Sequence, residues 1–288
     1  MTTTTTTSAA QGRPKQASAP SGGSEPHAVG SVGAYLLHLA DNAVVLGQRN
    51  AEWCGHGPIL EEDLALANMS LDLIGQARLL YQLVAELQAD GSTEDSLAYF
   101  RNPEDFRNYA LVELPNRVAL VGYAKGDMDY ATTIVRNFLY SALMALVWEK
   151  LQTSTNAQLA AIAAKSYKEV RYHLRHSRDW LVRLGDGTQD SHDRVQAALD
   201  YLMPYTQEFW TTTPMEQEAA RTGLGVATQD LRADWNAIVS SAFNEATLHE
   251  SSTEGYVTQG KNQLHTEHLS FLLTEMQGLA RAHPEAVW

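Results

Sequence analysis

From residue 33 onward, apolar residues recur at the three- and four-residue spacings of helices, and no stretch shows the alternation of a half-buried strand. Gly, Pro and Asn turns separate most of the long apolar stretches. The pattern predicts four long helices, at residues 33–50, 61–87, 130–151 and 157–184. Because long helices bury their apolar positions against one another, we expect an all-α fold built on a four-helix bundle.

Shorter elements are expected around this bundle. Residues 88–128 mix Gly and Pro with apolar positions, which predicts short helices and loops. Additional C-terminal helices are expected at residues 192–203, 229–247 and 264–282. Residues 251–260 are rich in Gly, Ser and Thr and are expected to form a loop.

The second predicted helix carries apolar side chains all round, so we expect it to be buried on all sides. Its polar exceptions are Asn68, Asp72 and Gln76, which lie four residues apart and form one stripe. These three residues are the candidates for polar chemistry on this helix.

The N-terminal segment differs in composition from the rest of the chain. It begins with Met1 and six threonines and continues in Ala, Ser, Gly, Pro and Gln. It has neither the apolar core of a secretion signal nor the bulky residues that would offset the entropy of ordering. We therefore expect residues 1–30 to be a disordered tail and residues 31–288 to form a single domain.

Composition excludes several classes of partner. The formal net charge of −13 argues against nucleic acid or an anionic membrane as the main partner. The most apolar run, residues 138–148, is short of the roughly 20 residues that a membrane span needs. Cys54, the one cysteine, excludes an intrachain disulfide and suits a reducing cytoplasm.

The fourth predicted helix brings polar residues onto one face. Glu169, His173 and His176 follow helical spacing, and Asp72 of the second helix would face them. They could form a metal or proton-transfer site, or a buried network of ion pairs. The network is favoured, because this helix carries more cations than carboxylates, whereas di-iron sites in bundles are built from carboxylates.

A second candidate lies at residues 265–268, where His265 and His268 share a helix face on either side of Glu267. Zinc takes three or four protein ligands, and the His-Glu-x-x-His pattern of metalloproteases is absent. We therefore expect the start of a helix that is docked by hydrogen bonds onto the bundle or onto a partner.

The spacing of acidic residues and histidines bears directly on function. Bundles that hold two irons use Glu-x-x-His pairs, because residues at i and i+3 point the same way on a helix. The chain contains ten histidines, and none has Asp or Glu three residues before it. The pattern thus predicts a bundle of the di-iron type without its ligand set, which indicates a non-catalytic member of an oxygenase assembly.

Five blocks of sequence together resemble one family. They lie at residues 46–58, 63–78, 168–175, 244–248 and 264–269. Across about residues 32–288 the chain resembles the C subunits of bacterial ring 1,2-phenylacetyl-CoA epoxidases. The segments at residues 1–30 and 118–126 are additions to the family pattern.

The resemblance implies a ferritin-like fold and a place in a multicomponent monooxygenase of phenylacetate catabolism. It implies that a homologous A subunit holds the di-iron site and binds the acyl-CoA, while the C subunit pairs with A as a structural component. A reductase subunit with flavin and iron–sulfur groups would deliver electrons from NADPH, and dioxygen would epoxidise the aromatic ring. No cofactor is expected in this chain, and a cytoplasmic location is expected.

The resemblance also allows the chain to be aligned with the catalytic A subunit, which gives the positions that correspond to its metal ligands. The six positions fall on, or near, Leu46, Asp72, Gly75, Ser141, Val170 and His173. Only Asp72 and His173 could still bind metal, against the six ligands that a di-iron bundle uses. The resemblance therefore implies a vestigial site with no catalytic, cofactor or metal residues in this chain.

Other functions remain open at this point. An oxygenase with an unusual metal site would use Asp72, Glu169, His173 and His176. An iron-storage module would need carboxylate clusters on inner helix faces, where the second helix offers only Asp72. Interface residues are expected on helix surfaces and in residues 264–283. The candidates for a buried polar network or an interface are Asn68, Glu169, His176, His265, Glu267 and His268.

Overall fold

The computed structural model describes residues 1–2, 30–117 and 128–286. These residues form helices and loops, and their one β-type pairing is an isolated antiparallel bridge between Gln259 and Leu264. The predicted tail, apart from its ends, and the additional segment at 118–126 lie outside the described residues. The all-α prediction is confirmed.

The α-helices of the described residues number ten. They are α1 (Ser31–Ala51), α2 (Leu60–Gln88), α3 (Glu94–Tyr99), α4 (Ala110–Glu113), α5 (Tyr130–Leu151), α6 (Ala157–Gly185), α7 (Gln189–Leu202), α8 (Pro214–Arg221), α9 (Arg232–Glu245) and α10 (Glu267–Ala282). The bundle helices α1, α2, α5 and α6 begin and end within two residues of their predicted bounds. The C-terminal prediction omitted α8.

Local capping explains why the predicted starts of α5 and α6 agree with the structure. Asp129 accepts a hydrogen bond from the backbone N–H of Ala131 at 3.0 Å, and Asn156 accepts one from Leu159 at 2.9 Å. Such side chains satisfy N–H groups that have no partner within the helix. At the break predicted by Pro204, α7 gives way to a 3₁₀ helix at Met203–Trp210.

The bundle helices pack as two pairs, α1 with α2 and α5 with α6, and α2 also contacts α6. The additional helices cover the other side of the bundle: α4, α8 and α10 contact α1, while α7 and α9 contact α5. As a result, α1 and α5 are buried nearly all round. Although α5 is long and apolar enough to cross a membrane, 94% of that stretch is buried in the protein.

The expectation that the second helix is buried on all sides is wrong. In the N-terminal half of α2, Leu60, Leu64 and Leu71 are exposed by 71%, 55% and 67%. The physical reason is the path of the C-terminal segment, which wraps α1 and α5 and leaves the outer side of α2 uncovered. The bundle therefore has one wrapped side and one open side.

Candidate functional site

The predicted polar residues of the second and fourth helices meet in the seam between α2 and α6. His173 Nε2 lies 3.0 Å from Oδ2 of Asp72, with the histidine buried and the Asp72 side chain 37% exposed. One turn along, Gln76 donates a hydrogen bond to Glu169 at 3.0 Å, and Lys165 forms an ion pair with the same carboxylate. The seam is thus closed by paired polar groups.

His176 has a partner that sequence reasoning missed. Its Nε2 atom lies 2.7 Å from Oε2 of Glu62, and the Tyr130 hydroxyl donates to the same oxygen at 2.5 Å. Burial and the neighbouring carboxylate raise the pKa of Tyr130 well above its usual range. Helical spacing was the signal in the sequence that could have identified Glu62. Glu62 precedes Met69 by seven residues, about two turns, and therefore lies on the same buried side of α2 as Met69.

The other four positions of the vestigial site that the resemblance implies carry groups that suit iron poorly. Leu46, Ser141 and Val170 are buried, and they offer two hydrocarbon side chains and one hydroxyl. Gly75 is half-exposed, with open space beside its backbone. These four positions contribute neither a carboxylate nor an imidazole to the bundle.

Amide and guanidinium groups occupy the interior between α1 and α5. Asn50 and Asn137 exchange two hydrogen bonds of 3.1 Å each across the bundle. The buried guanidinium of Arg136 donates to the carbonyl of Leu114 at 2.6 Å and also bonds to Asn116. Burial lowers the pKa of Arg136 to about 9. The available signal was Arg136 itself, the one charged residue between positions 130 and 148.

This donor set does not fit a di-iron centre. Within the residues that the structure describes, no group of three or more His, Cys, Asp or Glu side chains converges closely enough to hold a metal ion. A di-iron bundle uses six such ligands. Asp72 and His173 are instead engaged with each other.

The segment at residues 265–268 is docked onto the bundle. His265 Nε2 donates to the carbonyl of Phe106 at 2.8 Å, and its Nδ1 atom lies 3.5 Å from the buried Glu113 carboxylate. Burial by itself lowers the pKa of His265, but the Glu113 carboxylate, the Phe106 carbonyl and Asp41 together outweigh burial, so the pKa is raised. The carbonyl of His268 accepts a hydrogen bond from Arg49 at 3.4 Å.

Two of the network and interface candidates lie outside both buried networks. Asn68 on α2 and Glu267 at the start of α10 are exposed. Asn68 therefore does not extend the seam, although it lies on the same predicted stripe as Asp72 and Gln76. Both residues remain available only for contacts with another molecule.

Sequence reasoning also missed a group of buried charges before α10. Lys261, 1% exposed, donates to the Glu216 carboxylate at 2.9 and 3.1 Å and to the carbonyl of Thr211 at 2.6 Å. Glu208 accepts hydrogen bonds from the backbone N–H of Lys261 at 2.8 Å and of Ala110 at 3.0 Å. These contacts fasten the loop before α10 to α4 and α8.

A buried histidine makes stability depend on pH. His38 on α1 donates from Nδ1 to the carbonyl of Arg107 at 2.6 Å, and burial lowers its pKa from 6.5 to about 4. Because the folded pKa is below the unfolded one, the stabilisation is complete above pH 6.5 and is lost as the pH falls toward 4. At pH 4.5 the loss amounts to about 2 to 3 kcal/mol.

We therefore expect the free energy of unfolding of His38→Gln to decline less than that of the unmodified chain between pH 7.5 and pH 4.5. Urea titrations followed by circular dichroism measure both declines, with exposed His283→Gln as the matched control. Equal declines in all three proteins would contradict the prediction.

Comparison with known proteins agrees with the fold. The sequence profile of the family described as "Phenylacetic acid catabolic protein" matches residues 24–288, and the chain belongs to this family. A ferritin-like bundle is consistent with that membership.

A relative from Escherichia coli (strain K12), the C subunit of 1,2-phenylacetyl-CoA epoxidase, is 45% identical over 255 residues. The match covers 88% of this chain and 98% of the relative. The resemblance drawn from the five sequence blocks is therefore confirmed. The chain is similar to one subunit of a multi-subunit enzyme, which indicates a component of a hetero-oligomer.

Proposed function

We propose that this chain is the non-catalytic structural subunit of a phenylacetyl-CoA 1,2-epoxidase that acts in aerobic phenylacetate degradation. It pairs with a di-iron A subunit, which supplies the metal chemistry, while a reductase with flavin and iron–sulfur groups supplies electrons from NADPH. This chain holds no cofactor of its own. The single cysteine and the acidic composition support a cytoplasmic location.

The observation that carries this proposal is the donor set at the positions of the catalytic ligands. Leu46, Ser141 and Val170 fill buried positions, and the two residues that could bind metal, Asp72 and His173, bond to each other. The helices are nevertheless joined without a metal, because polar pairs link α2 to α6 and α1 to α5. Such a bundle is suited to positioning rather than to redox chemistry.

Positioning has a physical rationale in an oxygenase. Displacing catalytic groups by about 1 Å can slow a reaction by two orders of magnitude. The helices α1 and α5 are buried nearly all round and form a closely packed interior. A closely packed interior makes the outer surface stiff, so the helices of a catalytic partner can be held against it. We propose that this support is the contribution of the chain to turnover.

The alternative is an oxygenase component with an unusual metal site. Its candidate ligands are already engaged: Glu169 with Lys165 and Gln76, and His176 with Glu62. A metal ion would have to break these pairs before it could bind Glu169 and His176. The contact between Asp72 and His173 is the one observation that favours this alternative.

Metal analysis separates the two proposals. We expect near-zero iron and zinc per chain when the full chain is purified alone from metal-replete cells and measured by plasma mass spectrometry. About two irons per chain, as in a di-iron bundle, would overturn the proposal.

A variant tests the same point by activity. In an epoxidase reassembled from purified subunits, His173→Gln is expected to leave kcat within about threefold wherever pairing is intact, since a positioning scaffold touches no reacting atom. The control replaces one ligand glutamate of the A subunit, which should abolish turnover. Complete loss with His173→Gln, in a complex that still assembles, would favour the metal-site alternative.

A further inference from the structure

We propose that one buried proton, held between His265 and Glu113, latches the start of α10 to the bundle, and that loss of this proton at alkaline pH releases α10. Glu113 is the last residue of α4, and His265 directly precedes Thr266, the N-cap residue of α10. Release of α10 would uncover Leu272 and Leu273, which are buried in the docked helix. The latch lies within this chain and does not depend on the proposed function.

The contacts of the His265 ring place a proton between the ring and Glu113. Nε2 lies 2.8 Å from the carbonyl oxygen of Phe106, and a carbonyl oxygen only accepts hydrogen bonds, so Nε2 carries a hydrogen. A neutral imidazole has no second hydrogen to place on Nδ1. Nδ1 nevertheless faces Oε2 of Glu113 at 3.5 Å. A favourable contact there needs either a cationic ring or a protonated carboxyl group.

The two facing atoms have no other way to be satisfied. Nδ1 of His265 and Oε2 of Glu113 are both buried, and neither has a hydrogen-bond partner elsewhere. Without a proton between them, a nitrogen lone pair would face a charged oxygen away from water, which is costly. The geometry therefore favours one shared proton, whichever of the two atoms carries it.

The same carboxylate also holds the N-terminus of α10. Oε1 of Glu113 accepts a hydrogen bond from the backbone N–H of Thr266 at 3.3 Å, and the Thr266 hydroxyl caps the helix at His268. The Glu113 side chain is fully buried. Both of its oxygens contact the segment that leads into α10, so water is kept from the carboxyl group only while that segment is docked. Docking and proton binding are therefore linked.

The nearest cations do not replace this proton. Arg49 of α1 forms an ion pair with Glu52 and donates to the backbone carbonyl of Glu113, at 2.7 and 3.1 Å, rather than to its carboxylate. Lys261 in the loop before α10 is paired with Glu216. The carboxylate of Glu113 is thus left to His265 for its charge balance.

Other charged groups on the surrounding elements favour retention of the proton. Asp41 raises the pKa of His265 and Glu208 raises that of Glu113, because each is a negative charge near the pair. The remaining titratable groups on the packed elements are His38 of α1, Arg101, Glu104, Asp105 and Arg107 before α4, and Glu267 and His268 of α10.

The two pKa directions give the sign of the pH dependence. Burial raises the pKa of Glu113, and its contacts with His265 and Thr266 offset this only in part. Burial lowers the pKa of His265, but Glu113, the Phe106 carbonyl and Asp41 outweigh it, so the pKa lies above the ordinary 6.5. The folded pKa thus exceeds the unfolded one. The latch is fully stabilising below pH 6.5 and weakens as the pH rises through the folded pKa.

The helix α10 is held loosely enough to open by itself. Four of its 16 residues are buried, against 17 of the 21 residues of α1. Elements with few buried contacts open locally at lower cost than core helices. The chain before the latch stays anchored, because Lys261 is fastened to Glu216 four residues before His265. Loss of the proton is therefore expected to free α10 rather than the loop.

Hydrogen exchange of the full-length chain, followed by mass spectrometry between pH 6 and pH 9, measures the release. After division by the intrinsic exchange rate at each pH, the opening of residues 267–273 is expected to increase by up to about tenfold per pH unit above pH 6.5, as linkage to one proton requires. Residues 134–147 of α5 are the internal control and should show no such increase.

The variant Glu113→Gln isolates the role of the carboxylate. Its amide can donate to Nδ1 of a neutral His265, so the contact persists without the extra proton. The corrected opening of residues 267–273 should then no longer depend on pH. The matched control, Glu267→Gln, removes an exposed carboxylate from the first turn of α10 and should retain the pH dependence.

Three outcomes would overturn the latch. One is a constant opening of residues 267–273 in the unmodified chain from pH 6 to pH 9. Another is an undiminished increase in Glu113→Gln that is folded by circular dichroism. The third is an equal increase in α5, which would show that the proton stabilises the whole domain rather than the docking of α10. The titration of the unmodified chain decides the first and third without any variant.

Discussion

Replacing Lys261 with methionine is expected to lower the free energy of unfolding by about 3 to 5 kcal/mol, as is typical when one partner of a buried ion pair is removed. Lys261 and Glu216 are each 1% exposed, and the ammonium group donates to both carboxylate oxygens. Methionine fills a similar volume but carries no charge, so the buried Glu216 carboxylate loses the ammonium group that balances it. Destabilisation should follow from that uncompensated charge.

Urea unfolding followed by circular dichroism measures this effect. The exposed Lys150→Met is the matched control and should change stability by less than about 0.5 kcal/mol. The double variant Lys261→Met with Glu216→Gln removes both charges and should recover part of the loss. A loss below about 1 kcal/mol for Lys261→Met alone would show that the buried carboxylate does not depend on this pair.

The second large effect is expected at Arg101, where substitution by leucine should also cost about 3 to 5 kcal/mol. The fully buried Asp41 accepts hydrogen bonds from the Tyr81 hydroxyl at 2.7 Å and from the backbone N–H of Arg107 at 2.8 Å. The Arg101 guanidinium supplies the balancing charge in contact with both carboxylate oxygens. Without it, a carboxylate remains buried between α1 and α2.

The control for Arg101 is Arg78→Leu. Arg78 pairs with Glu94 at 3.4 Å, but its side chain is 67% exposed, so its loss should cost at most about 1 kcal/mol. Adding Asp41→Asn to Arg101→Leu removes the unbalanced charge and should restore part of the stability. If the double variant were no more stable than Arg101→Leu, lost packing rather than the buried charge would explain the effect.

Both ion pairs contribute to the architecture that leaves one side of the bundle open. Lys261 fastens the loop before α10, and Arg101 fastens the segment between α3 and α4 against α1. The C-terminal segment is thereby held on the α1 and α5 side. Weakening either pair should loosen this wrapping.

Local information in the sequence was sufficient to predict the bundle helices and to show that Glu-x-x-His pairs are absent. Helical periodicity and turn residues act over a few positions, so the bounds of α1, α2, α5 and α6 could be predicted within two residues. The absence of Asp or Glu three residues before any histidine is likewise visible without a structure. The shared blocks were enough to recognise the family.

The site could be predicted only in part. Asp72 and His173 were predicted to face each other, and the structure places them in contact. Glu62, the partner of His176, was not predicted. Lys261 and Glu216 are 45 residues apart, and Asp41 and Arg101 are 60 apart. No local rule joins residues at such separations, because the pairing depends on how whole helices pack.

The sequence by itself determined a helical bundle in which no histidine follows an acidic residue by three positions, since both features depend on spacings of three or four residues. Only the tertiary structure decided which apolar helices are covered. The apolar residues of α1 and α2 are similar in kind, yet the C-terminal helices pack on α1 and leave Leu60, Leu64 and Leu71 in solvent. Burial depends on which elements meet in space, and that choice is made by contacts between residues far apart in the chain.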